Sequence, residues 1–81
     1  LGPIIEMLKV FLKVVSDQEG VASRLIATVP DLERLAADDN ADIPALKGWR
    51  RDVFGAEALR LKRGELALVL ENGKVEAVEL E

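Results

Sequence analysis

Eighty-one residues, 49% of them apolar and 32% charged, suit one small folded domain and are too apolar for a disordered tail. Cysteine and histidine are both absent, which excludes disulfide staples, thiol nucleophiles, imidazole bases and the usual zinc sites. The net charge of −4 disfavours binding of a polyanion by the whole surface, and the longest apolar run, Leu66–Leu70, is far short of the roughly 18 residues of a membrane span.

The first helix opens at Gly2-Pro3, where proline suits the first turn because its missing N–H would have no partner. Ile4, Leu8, Phe11 and Val15, with Ile5 and Leu12, recur at three- and four-residue steps and form a wide apolar face; Glu6, Lys9 and Lys13 lie opposite. Gly20 is placed to cap this helix, which therefore runs to about Gln18 or Glu19. Val21–Ala27 reads as a connector anchored by Leu25 and Ile26. Thr28-Val29-Pro30-Asp31 fits a capping box opening a second helix, with Leu32, Leu35 and Ala36 as its buried stripe.

Asp42 is placed to cap a short third helix, Ile43 to Lys47, with Pro44 in its first turn. Gly48 breaks it. A fourth helix carries Trp49, Val53 and Phe54 at helical spacing, with Gly55 closing it. A fifth, Ala56 to Arg63, turns Ala58, Leu59 and Leu61 inward and stops at Gly64. The period then changes. Glu65–Leu70 and Lys74–Leu80 flank Asn72-Gly73, the strongest short signal for a two-residue type I′ hairpin. That turn sets Leu70 opposite Val75, Leu68 opposite Ala77, Leu66 opposite Glu79 and Val69 opposite Glu76. A lone hairpin is marginal, so its leucine face is expected to pack on the helices. The predicted fold is mainly α: a helical bundle of about five helices over residues 3–63, with a β-hairpin over about 65–80. No repeat or low-complexity segment is visible.

Charge is unevenly distributed. Residues 47–63 hold Lys47, Arg50, Arg51, Arg60, Lys62 and Arg63 against Asp52 and Glu57, a local +4, whereas the rest of the chain carries −8. Local potential decides where a polyanion lands, while the whole-chain charge mainly governs solubility. These six are the candidate nucleic-acid contacts; the alternative is an ordinary solvated helix face. Arg50 and Arg51 are adjacent in a helix and cannot both point inward, so at least one is exposed to a phosphate or to a neighbour such as Asp52. Trp49 can stack on an unpaired base, but its spacing to Val53 favours the apolar face. Lys9 and Lys13 lie outside the basic segment.

Other chemistry is weakly signalled. Asp31-Leu32-Glu33 has the D-x-E form of two-metal nucleases, yet it falls in a first helical turn, where acids suit the helix dipole. Asp38, Asp39, Asn40 and Asp42 supply oxygen donors for calcium but lack the glycine and closing glutamate of an EF-hand loop. Gly48 and Gly55 do not make a phosphate loop.

The order Glu19-Gly20-Val21, Leu25-Ile26-Ala27-Thr28, Asp31-Leu32 and Leu35-Ala36 resembles the helicase-and-RNase-D C-terminal (HRDC) family. Gly48-Trp49-Arg50-Arg51-Asp52-Val53-Phe54-Gly55-Ala56-Glu57-Ala58-Leu59 and Leu61-Lys62-Arg63-Gly64-Glu65-Leu66-Ala67-Leu68 look more specifically like the C-terminal portion of the bacterial ribonuclease D family. The chain departs from many HRDC domains at Gly48-Trp49-Arg50, where a G-V-G type of turn is common, and in its terminal hairpin. The first residue, Leu1, is not methionine, so a piece of a longer protein is expected.

The resemblance implies a parent chain that is a cytoplasmic, metal-dependent 3′–5′ exoribonuclease, a hydrolase that trims stable RNA precursors such as tRNA. Its divalent metal ions and catalytic residues would lie in an N-terminal catalytic domain, with no cofactor and no catalytic residue in this piece. The piece itself would be an accessory domain that binds RNA or single-stranded nucleic acid, contacts its own catalytic domain and avoids membranes. The competing expectation is a protein-contact or interdomain docking module with no direct nucleic-acid contact.

Overall fold

A computed structural model describes residues 1–80. Helix α1 (Gly2–Glu19) is the longest element and ends at Gly20, whose φ of 67° and ψ of 29° form a left-handed cap. Leu8, Phe11, Leu12 and Val15 are its buried face. Ile4, expected inward, is exposed: it borders a small cleft of about 150 Å³ that Leu61 and Lys62 only partly close.

The expected connector contains a single helical turn, α2 (Ser23–Ile26). Ile26 is buried there, but Leu25 is exposed, so only one of the two predicted anchors holds. Helix α3 (Val29–Ala37) begins as predicted. The Thr28 hydroxyl accepts from the Asp31 N–H at 3.3 Å, and the Asp31 carboxylate accepts from the Thr28 N–H at 3.1 Å. Its buried residues are Leu32, Leu35 and Ala36.

The third predicted helix is only a 3₁₀ turn, Pro44–Leu46, and Asp42 does not cap it. The Asp42 carboxylate is instead taken by the Lys47 ammonium. The fourth and fifth predicted helices are one rod: α4 (Gly48–Arg50), a π turn (Arg51–Gly55) and α5 (Ala56–Lys62). Gly55 does not close a helix; it lies inside the rod because a side chain there would strike the Ala45 carbonyl. The π turn, with the Ala56 N–H bonding the Arg51 carbonyl, inserts one extra residue into the turn and rotates everything after it relative to α4. Phe54, Ala58, Leu59 and Leu61 are buried, while Trp49 is exposed. Phe54 meets Phe11 of α1 ring to ring, with centroids 5.6 Å apart at 28°.

Strands β1 (Leu66–Glu71) and β2 (Lys74–Glu79) pair antiparallel in the predicted register, Leu66 with Glu79 through Leu70 with Val75. Asn72 and Gly73, with φ of 52° and 76°, make the turn that the type I′ geometry requires. The leucine face packs only at its base. Leu66 is buried, Leu68 is half-buried and Leu70 is 74% exposed, while Gly73, Lys74 and Val75 at the turn border a cleft beside Val10 and Val14 of α1. Gly73→Val forces a β-branched residue into left-handed backbone, a strain of about 1–2 kcal/mol, and is expected to lower the denaturant midpoint; an unchanged midpoint would show that the hairpin adds nothing to stability.

Candidate nucleic-acid interface

The structure divides the six basic residues of the 47–63 segment into two groups. In the first, the charge is spent internally. Arg60 donates to Glu79 at 2.9 Å, Glu65 at 3.2 Å and Glu57 at 3.2 Å, which ties α5 to the base of the hairpin. Its hydrogen bonds to Glu79 and Glu65 hold the guanidinium pKa above its ordinary value. Isolated surface pairs contribute little, but a cation shared among three carboxylates forms a network.

Lys62, half-buried, donates to the Leu35 carbonyl at 2.6 Å and pairs with Asp39. Lys47 pairs with Asp42. Both carboxylates are pushed below their ordinary pKa, Asp39 chiefly by the Lys62 hydrogen bond and Asp42 chiefly by that of Lys47. The acidic run 38–42 thus supplies counter-ions to the basic segment. Among the described residues, no three carboxylates gather where a metal ion could be held. Asp31, the first acid of the D-x-E, is engaged in its capping box.

The second group is Arg50, Arg51 and Arg63, none of which meets a carboxylate among the described residues. Arg50 donates through Nε to the Leu25 carbonyl at 2.8 Å, and its guanidinium carbon lies 4.6 Å from the Trp49 ring centroid. Arg51 and Arg63 are exposed. Arg51 makes only a long contact, 3.5 Å, to the Leu46 carbonyl. Trp49 is not the core residue that its spacing to Val53 suggests: it is 45% exposed. With Asp42, Pro44, Lys47 and Arg50 it lines a shallow depression of about 500 Å³.

The structure also assembles cations that the linear reading kept apart. Lys9 and Lys13 of α1 and Arg24 of α2 line one depression of about 370 Å³ with no acidic residue in its wall. Arg24 precedes the residue whose carbonyl Arg50 holds. Nothing in the spacing signals this, because it depends on the chain turning back at Gly20 and forming α2. No helix among the described residues is long and apolar enough to cross a membrane.

No family model matches the chain, and no solved structure matches it. Curated relatives do. The chain is 59% identical over 75 residues to a protein named ribonuclease D from Nitrobacter hamburgensis, covering 93% of this chain and 20% of that relative. It is 45% identical over 75 residues to ribonuclease D of Granulibacter bethesdensis, covering 93% of this chain and 19% of the relative. With ribonuclease D of Bartonella henselae it shares 40% identity over 78 residues, 95% of this chain and 19% of the relative. The chain spans about a fifth of the length of the relatives it matches. It is therefore homologous, over nearly all of its own length, to a segment making up about one-fifth of ribonuclease D.

Proposed function

We propose that this chain is the HRDC-like accessory domain of a ribonuclease D, spanning residues 1–81 and helping a cytoplasmic 3′–5′ exoribonuclease bind and position RNA 3′ ends, such as those of tRNA precursors. The observation that carries this reading is a set of three arginines, Arg51 and Arg63 exposed and Arg50 half-buried, with no carboxylate partner among the described residues, in a chain 59% identical to a segment of ribonuclease D. Of the six basic residues, Arg50, Arg51 and Arg63 are the ones that retain charge for phosphates. Lys47, Lys62 and Arg60 reach a phosphate only by exchanging an internal carboxylate. Metal-dependent hydrolysis is assigned to the remainder of the parent chain, as the resemblance to ribonuclease D implies.

Phosphate neutralisation releases counterions, so log affinity falls linearly with log salt, by roughly 0.7 per contact on a single strand. Three available arginines give the chain a slope of about −2 on single-stranded RNA. Arg50→Ala with Arg51→Ala is expected to flatten it by about 1.4 without altering sequence preference, since phosphate contacts position the strand and do not specify it. Lys62→Ala, which removes an internal clip, is expected to leave the slope unchanged. Equal flattening by both changes would mean diffuse attraction.

A second reading has its own support. Ile4, Met7 and Val10 form an exposed apolar row along α1, as a protein-contact or interdomain docking module would present. It is favoured if the arginine changes leave RNA binding by the parent enzyme intact.

A further inference from the structure

We propose that Trp49 is a stacking platform for one unpaired nucleobase, with the adjoining phosphates taken by Arg50 and Arg51. The proposal deepens the nucleic-acid reading above and rests on it.

Tryptophan is seldom left open without cause, for it carries a large apolar payload that folding normally buries. Here Phe54 is fully buried against Phe11, whereas Trp49, five residues earlier in the same rod, keeps 45% of its surface exposed. The Arg50 guanidinium lies over the ring at 4.6 Å, and its Nε is held by the Leu25 carbonyl at 2.8 Å. That bond fixes the cation over one face and leaves the other for a partner. Among the described residues the indole N–H donates to no protein group, so the Arg50 cation is the ring's one polar contact there.

The depression in front of the ring has mixed chemistry. Pro44 gives it an apolar wall, and the Asp42–Lys47 pair puts an acceptor and a donor on its rim. A bare phosphate would meet the Asp42 carboxylate and be repelled. A nucleobase presents a flat π face to the indole and both donors and acceptors along its edge, and it suits every side of this depression. Stacking of this kind is sequence-tolerant because every base has a π face, in keeping with the phosphate contacts proposed for Arg50 and Arg51.

Trp49 is the chain's one tryptophan, so its fluorescence reports this position alone. The chain is titrated with a short oligothymidylate and with an abasic oligomer of the same number of phosphates, binding being read independently by anisotropy of a dye on the oligomer. The expected result is strong quenching by oligothymidylate and weaker binding without quenching by the abasic strand. Trp49→Ala is expected to weaken oligothymidylate binding roughly tenfold while leaving abasic binding unchanged; Trp49→Phe is expected to keep most of the affinity.

Saturating oligothymidylate binding without quenching, or equal losses on both strands for Trp49→Ala, overturns the stacking proposal and leaves the nucleic-acid reading in place. Failure of both oligomers to bind overturns that reading and the proposal together. Quenching by polyglutamate but by neither oligomer overturns both in favour of a protein contact. The quenching arms use the unaltered chain, so they stand whatever the stability of the variants.

Discussion

Gly55→Ala is expected to destabilise the domain by about 3 kcal/mol, the upper end of what overpacking a core typically does. The sign is opposite to the usual one, since glycine inside a helix is ordinarily worse than alanine by roughly 0.5–1 kcal/mol. Here a Cβ would stand 2.0 Å from the Ala45 carbonyl oxygen, 3.0 Å from its carbon and 3.1 Å from a methyl of Leu46. The obstacle is backbone, and the backbone cannot yield easily. The Pro44–Leu46 turn is closed by bonds from the Leu46 N–H to Ile43 at 3.1 Å and the Lys47 N–H to Pro44 at 3.0 Å, and Ile43 and Ala45 are fully buried. A domain of this size has about 4–12 kcal/mol in total, so the loss is a large share of it. The rod and the turn also form opposite walls of the Trp49 depression, and forcing them apart is expected to weaken base quenching as well. Guanidinium unfolding checks the first effect; a midpoint equal to or above the parent's would show that rod and turn are not pressed together.

The parts of this fold that were legible in the sequence are those set by neighbouring residues. The α1 stop at Gly20, the Thr28–Asp31 capping box and the Asn72-Gly73 hairpin with its register each depend on a few consecutive positions, and each occurs as read. What was not legible depends on distant partners. The close contact of Gly55 with Ala45, ten residues earlier, and the π turn that carries it are features that an i, i+4 count from Trp49 to Val53 cannot contain. Likewise, the engagement of Lys62 was invisible in a local charge count, since Asp39 lies 23 residues away, and so was the Glu79 arm of the Arg60 network, 19 residues away. The candidate site therefore differs in composition: the basic segment holds half its charge in ion pairs, and Arg50 reaches the Leu25 carbonyl, one residue on from Arg24.

Phe54→Ala is expected to have the largest effect of any change considered, a loss of about 3–5 kcal/mol. The ring is fully buried and stacked on Phe11, so truncation removes both its own transfer free energy and half of an aromatic pair, in the middle of the contact between α1 and the rod. At roughly 4–8 °C of melting temperature per kcal/mol for a domain this small, the midpoint is expected to fall by more than about 12 °C. Its value lies in the contrast with Trp49. The two aromatics are five residues apart in one rod, yet one is fully buried and the other 45% exposed. Trp49→Ala removes an exposed ring and its cation–π contact with Arg50, worth about 0.5–1 kcal/mol at such a site, so its melting temperature is expected to stay within several degrees of the parent's while base-dependent binding is lost. Phe54→Ala, measured well below its own lowered midpoint, is expected to bind oligothymidylate with quenching still present. If instead Trp49→Ala melts as low as Phe54→Ala, the indole is a packing residue, and its outward placement is wrong.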